Sequence, residues 1–389
     1  MTLFDETGPA ASERPRRPRS RAGVAGIWAL VVALVALLVL SFLPSAYVIE
    51  TPGPVFNTLG TVQNDQKQQV PIITVSGATT YPTAGELSLL TVQVVGTADA
   101  RPSWLELIPA FFDPSRSIVP ADAIYPPDQT SQQLSDQSSA QMVDSQQEAT
   151  AAALTHLGYT VTPYLSVYSV ESDGAANGVL QKDDVVESAD GTAVTDVASL
   201  RAIIAAKDGA PVSLTIQRGG ATQQVSITPK QQIINGQSTW LIGVSLLTQF
   251  HFPIDVKLQL FNVGGPSAGM MFALGIIDTL TPGNLNGGKN VAGTGTIDAA
   301  GEVGAIGGIR QKMYGARSSG AEYFLAPADN CDEVVGHIPQ GLSVYAVSTL
   351  DDAVKDLTVI GSGGDTSTLA TCSTVMASPA PSVSPTPTP

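Results

Sequence analysis

Histidine is almost missing from this 389-residue chain, which holds only His156, His251 and His337. A serine hydroxyl is a weak nucleophile that needs a base, and few imidazoles are on offer. Cysteine is as scarce, at Cys331 and Cys372. Outside the cytoplasm a bridge between them is allowed and would tie the C-terminal tail to the last domain, although two unpaired thiols fit the sequence equally well. Basic residues number 19 against 34 acidic ones, a net charge of −15, which argues against nucleic acid as a partner. An intact P-loop is also missing. The nearest match, "GNLNGGKN" (283–290), puts Asn290 where a hydroxyl should meet magnesium. It follows a helix end and precedes a strand, the reverse of the required context, so it reads as a turn and no ATP is expected. No cofactor and no metal site is read in the chain.

One stretch lacks charge altogether. "GVAGIWALVVALVALLVLSFL", Gly23 to Leu43, is mostly apolar. At about 1.5 Å per residue it reaches roughly 30 Å, the thickness of a hydrocarbon core. It is longer than the apolar stretch of a signal peptide, and "LPSAY" is a poor cleavage site. The expectation is an uncleaved transmembrane anchor over 23–43. Residues 1–22 hold Arg14, Arg16, Arg17, Arg19 and Arg21, a basic tail that should stay cytoplasmic. The expected location is therefore the plasma membrane, single-pass, with everything after about Ser45 extracytoplasmic.

Beyond the anchor, "GELSLLTVQVVG" (85–96) reads as a strand, and the polar run near 112–140 reads as a mobile surface loop. "SQQEATAAALTHLG" (145–158) reads as a helix, with Ser145 and Glu148 as its capping box and Gly158 as its stop. A compact segment over 161–232 follows: the strand "YLSVYSV", the helix "VASLRAIIAAKDG", and two strands joined by Gly219-Gly220, a hairpin signal. Its Ala175-Ala176, Leu180, Asp183-Asp184, Val185-Val186 and Gly191 resemble a bacterial PDZ domain, except that Asp183 stands where that pattern has glycine. The resemblance implies a protein or peptide partner added to a sheet edge, expected near Leu165 to Val170. The glycine-rich binding loop of such domains is not evident.

Residues 233–360 hold the candidate chemistry. "NVGGPSAGMMFALGIID" (262–278) places glycines, a proline and Ser267 before an apolar helix. Proline suits a first helical turn, and N–H groups there lack partners and can steady a negative oxygen. The helix is apolar nearly all round and should be deeply buried. In the later helix "IRQKMYGARSSG", Ile309, Met313 and Ala316 share a face and Lys312 flanks it. That pattern fits a base stripped of charge by burial and equally a lysine snorkelling to solvent. The tail from 361 to 389 ends in "SPAPSVSPTPTP" and is expected to be disordered.

"GGPSAG" followed by "GTGTIDAAGEVGAIGGIRQK" resembles the proteolytic domain of the Lon proteases, most closely the membrane-anchored, PDZ-bearing Lon-like proteases of the YlbL type. The resemblance implies an α/β (α+β) Lon-type proteolytic domain, split into 44–160 and 233–360 around an inserted PDZ domain. It implies a Ser–Lys dyad of Ser267 and Lys312, with Thr294 supporting the lysine. Gly265 to Ala268 would supply oxyanion N–H groups. It implies an ATP-independent serine endopeptidase acting on unfolded or extended protein, and by analogy a homo-oligomer. Two positions depart from ATP-dependent Lon: Gly264 stands where an acid precedes the serine, and Thr296 where a glutamate follows the threonine. Two rivals remain at this stage. One is an inert PDZ scaffold. The other is an α/β-hydrolase triad, since "GPSAG" fits G-x-S-x-G, with His337 and one of Asp278, Asp298 or Asp329.

Overall fold

In the computed structural model, residues 21–377 are described apart from positions 65, 128, 235 and 236. The basic tail expected over 1–22 lies almost wholly outside the described residues, as does the Pro/Ser-rich run from 378. The described residues form two compact units, residues 21–49 with 94–126, and residues 50–93 with 127–377.

The first unit holds helices α1 (Arg21–Phe42), α2 (Trp104–Phe112) and the short α3 (Ala121–Ile124). The expected anchor coincides with α1, whose 22 residues extend about 33 Å. Among the described residues no helix is long and apolar enough to cross a membrane; the side chains of α1 are described without a break only from Ala25 to Ser41. α2 starts at a full capping box: the Ser103 hydroxyl accepts from Glu106 N–H, and the Glu106 carboxylate accepts from Ser103 N–H. Part of the loop expected near 112–140 is thus structured.

The larger unit contains α4 (Ser131–His156), α5 (Val197–Ala206), α6 (Gly269–Leu280), α7 (Ile309–Ser318), α8 (Cys331–Val334), α9 (Leu350–Gly361) and α10 (Cys372–Ala377). Its main sheet runs in the order Ser343–Val347, Tyr323–Pro327, Asn290–Gly293, Glu86–Val95, Tyr47–Asn57. The first four strands are parallel. Asn290–Gly293 pairs with Glu86–Leu89, and Asp255–Leu258 pairs with Ile73–Ser76. Sequence from both sides of the intervening module therefore builds one layer. α6 lies in the core, with every residue from Gly269 to Asp278 buried, as its all-round apolar pattern requires.

α4 begins earlier than its apolar pattern predicts. Thr130, not Ser145, is the N-cap, boxed with Gln133. The first turns are mostly exposed, so no apolar stripe betrays them. They are supported instead by the cap and by a Gln132 to Asp136 side-chain hydrogen bond at 2.8 Å. Ser145 becomes a buried mid-helix residue.

The second sheet runs Ala221–Ile227, Val212–Arg218, Val185–Ala189, Thr162–Val170, Val244–His251. Asp183 has φ +69°, the left-handed conformation that favours glycine, which accounts for the departure noted at that position. The peptide edge expected at Leu165–Val170 is corrected here. That strand is interior, paired on one side to Val185–Val186 and on the other to Val244–His251. The outermost strand is Val244–His251, and between it and α5 lies a groove of about 780 Å³ lined by Leu200, Ile204, Trp240, Ile242 and Leu246. This sheet thus takes in a strand that lies past 232 in the chain. Nothing local in "LIGVSLLTQFH", which follows the hairpin that closes the expected module, marks it as part of that sheet.

Cys331 and Cys372 form a disulfide. It holds α10 against α8, so the stretch from 361 to 377 is structured where disorder was expected. The bridge closes a separation of 41 residues. Replacing both cysteines with serine should cost about 2–4 kcal/mol, read as a lower midpoint in denaturant titration under oxidising conditions. An unchanged midpoint would show that α10 contributes nothing to the last domain.

Candidate active site

Ser267 stands at the mouth of α6, and its neighbours are held by two other elements. Its carbonyl accepts the Thr294 hydroxyl at 2.9 Å and the Gly295 N–H at 3.0 Å. Met270 N–H returns to the Gly295 carbonyl at 3.1 Å. The serine loop is therefore laced to the turn that follows the strand Asn290–Gly293.

The second support comes from α4. Gly265 N–H donates to the Ser138 carbonyl at 2.9 Å, and the buried Ser145 hydroxyl donates to the Pro266 carbonyl at 2.9 Å. The glycines of "GGPSAG" allow this approach. A side chain at Gly264 would collide with Ser138, and one at Gly269 would lie 2.8 Å from the Ser145 oxygen. Those contacts give Gly264 a packing reason for its departure from an acidic residue. Ser145 was read as a cap from its spacing to Glu148; its link to Pro266 spans 121 residues and no local pattern announces it.

Lys312 sits in the second turn of α7, whose start is set by Gly308 at φ +67°. The helix turns Ile309, Met313 and Ala316 into the core, and Lys312 follows them inward, with 2% of its surface exposed. Its Nζ lies 2.7 Å from Ser267 Oγ and 3.0 Å from Thr294 Oγ1. Thr294 is itself buried. No carboxylate shares this pocket with the amine. Burial therefore acts unopposed and pushes the lysine from its ordinary 10.5 down to about 7. Near neutral pH a large fraction of the amine carries a lone pair facing the hydroxyl.

The structure thus brings Ser267, Lys312 and Thr294 together. Gly265 lies beside them, but its N–H is committed to Ser138. The N–H groups of Ser267 and Ala268 open the helix without a hydrogen-bond partner among the described residues, the arrangement that receives an anion. Ser267 and Lys312 both line a cleft of about 450 Å³. One wall is Leu89 to Gln93, which runs on from the last pair with Asn290–Gly293; the other is Phe261 to Gly264. The rival triad is not assembled. His337 is exposed, and its Nδ1 lies 3.1 Å from the Glu333 carbonyl, to which it can only donate. Asp278 is buried at the far end of α6 and accepts from Leu285 N–H. Asp298 ties its own turn through Ala300 and Glu302 N–H, and none of the three histidines lines the cleft.

Residues 226–359 match the Lon protease (S16) C-terminal proteolytic domain, and residues 140–228 match the PDZ domain. The chain is similar to a Lon protease of Azospirillum brasilense, 37% identical over 94 residues that cover 23% of this chain and 11% of that protein. A Lon protease of Brevibacillus choshinensis is 28% identical over 189 residues, or 46% of this chain and 23% of that protein. The PDZ domain of an SdrC-like protein from Listeria monocytogenes is 28% identical across 21% of this chain and 85% of that one, with a TM-score of 0.19. The chain carries a Lon-type proteolytic domain and a PDZ domain, and it spans less than a quarter of the length of these Lon proteases.

A buried, depressed lysine is a stability cost. Between pH 7 and 10.5 the unfolded chain holds a proton that the folded chain does not, so stability rises with pH across that window. Lys312→Met should therefore be more stable than wild type at pH 7, by on the order of a few kcal/mol. Its advantage should shrink as the pH approaches 10. Paired urea titrations at several pH values read this directly, and a Met variant less stable than wild type at pH 7 would contradict it.

Proposed function

We propose that the protein is an ATP-independent serine endopeptidase in which Ser267 is the nucleophile and Lys312 the general base. The single observation that carries this reading is the 2.7 Å contact between Ser267 Oγ and a lysine Nζ with 2% exposure. A charged surface lysine could not accept a proton at neutral pH; a desolvated one can.

In this reading an extended segment of a protein substrate lies in the cleft along Leu89 to Gln93. Lys312 takes the proton of Ser267 as Oγ attacks the peptide carbonyl. The N–H groups of Ser267 and Ala268 receive the oxyanion, each worth about 10²–10³ in rate. The lysine then gives its proton to the departing amine. Water, deprotonated by the same amine, hydrolyses the acyl-enzyme. Thr294 holds Nζ toward Oγ and, through its own O–H, holds the Ser267 carbonyl. The PDZ groove beside Val244–His251 selects or gates substrates that present an extended end.

The membrane reading belongs here too. α1 is apolar, its described side chains from Ile27 to Val39 are exposed, and arginines precede it. These features support a single anchor with the basic tail cytoplasmic. The disulfide supports an extracytoplasmic site for the rest.

Two experiments follow on the full chain with a fluorophosphonate probe. Labelling should be lost in Ser267→Ala and Lys312→Ala, stay unchanged in His337→Ala, and rise with pH through about 7. Retention in Lys312→Ala, or loss in His337→Ala, would sink the dyad. Ser145→Ala should slow acylation roughly ten-fold, about the worth of one hydrogen bond, while the pH midpoint stays in place. A shifted midpoint would mean that Ser145 acts on the lysine and not on the loop.

A further inference from the structure

The unit formed by residues 21–49 and 94–126 carries an apolar face that the protease reading leaves without a use. α2 buries Leu107 and Ala110 in a small cluster with Ile49, against which Tyr47 and Ile118 also pack. Its opposite side exposes Trp104, Leu105, Ile108, Phe111 and Phe112, the two phenylalanines at 77% and 78%. At about 100° per residue these five fill an arc of roughly 120°. No charge falls within it. Glu106, the only charged residue of α2, is turned back to cap the helix start. Exposed faces of this kind mark a partner.

What lies next to this face indicates which partner. Trp104 N–H donates to the Leu43 carbonyl at 3.3 Å, and Pro44 bridges to Ser103. α2 therefore starts at the point where α1 ends, and its exposed arc adjoins a helix whose described apolar side chains are also exposed. Tyr47 and Trp104 meet edge to face at this junction, with centroids 6.1 Å apart. Aromatic rings with a polar handle favour the level between hydrocarbon and water. The nearby arginines, Arg101 and Arg116, are each paired with an aspartate, so headgroup charge is not the source of attraction.

We propose that α2 is an interfacial helix lying in the outer face of the phospholipid bilayer, with Trp104, Ile108, Phe111 and Phe112 among the upper acyl chains. The inference rests on the reading of α1 as a membrane anchor. It adds a second, in-plane attachment that fixes this unit at the membrane surface. The binding is apolar and independent of anionic lipid.

The three tryptophans, Trp28, Trp104 and Trp240, supply the test. The full chain is reconstituted in phosphatidylcholine vesicles brominated on the upper acyl carbons or at mid-chain. Trp28→Phe with Trp240→Phe leaves Trp104 as the reporter; Trp104→Phe with Trp240→Phe leaves Trp28. The expected result is loss of Trp104 emission, greater with upper-chain than with mid-chain bromine and insensitive to salt or added anionic lipid. Adding Phe111→Ser and Phe112→Ser should abolish most of that loss while circular dichroism stays unchanged. If Trp28 is quenched and Trp104 is not, the interfacial helix is wrong and the anchor stands. If neither is quenched, the anchor reading falls and this inference with it. Quenching that survives the two serine substitutions overturns the assignment of the face. So does a shielded Trp104 accompanied by dissociation of an oligomer in the serine variant by sedimentation, which would give the face to a second copy of the chain.

Discussion

The withdrawal of one amine from water is the constraint around which the candidate site is built. Lys312 has no acidic partner among the described residues, and its proton is loosened by burial alone. That is possible only because α7 is pinned on both sides of it: Ile309, Met313 and Ala316 enter the core formed with Phe324, Ala326 and Val344. Every other feature of the site serves to place an oxygen against that nitrogen. The same burial that makes the lysine useful works against folding at neutral pH, so the surrounding core must offset it. The density of apolar side chains around α6 and α7 is consistent with that demand.

The oxygen is placed by a helix that the sequence does not advertise as part of the site. α4 reaches the serine loop twice, through the Ser138 carbonyl and the Ser145 hydroxyl. Glycine at 264 and 269 is what lets the two backbones meet. The loop is thereby clamped between α4 on one side and the Thr294–Gly295 turn on the other. A hydroxyl on such a loop keeps its geometry, which is the pre-organisation that the proposed chemistry requires.

How much of this was legible in the sequence depends on the range of the interactions. The serine helix, the lysine helix and the hairpin at Gly219-Gly220 rest on local periodicity and turn chemistry, and they lie where the pattern puts them. The proximity of Ser267 to Lys312 came from a resemblance, because a 45-residue separation carries no distance by itself. What stayed hidden was long-range. The start of α4 carries no apolar stripe, so its polar turns read as loop. The roles of Ser138 and Ser145 depend on contacts more than a hundred residues apart. The outer strand Val244–His251 joins the inserted sheet from beyond the expected boundary, and nothing local separates it from the stretch that follows. Asp183 shows the converse: a departure from a family pattern that becomes intelligible once its positive φ is known.

The outer strand also explains how one domain can be interrupted by another. The inserted sheet begins at Thr162, soon after α4 ends at His156, and its last strand ends at His251. In the antiparallel pairing of these two strands Thr162 lies opposite His251. The insert therefore leaves and re-enters the proteolytic layer at neighbouring points, which is the geometry that makes an insertion cheap. Four residues later the chain pairs with Ile73–Ser76 through Asp255–Leu258, and from there it enters the loop that carries Ser267. The strand that edges the groove and the loop that holds Ser267 are thus close in the chain, with one pinned strand pair between them. α4 joins them a second way, since it packs on the Val244–His251 strand and also holds Gly265 and Pro266.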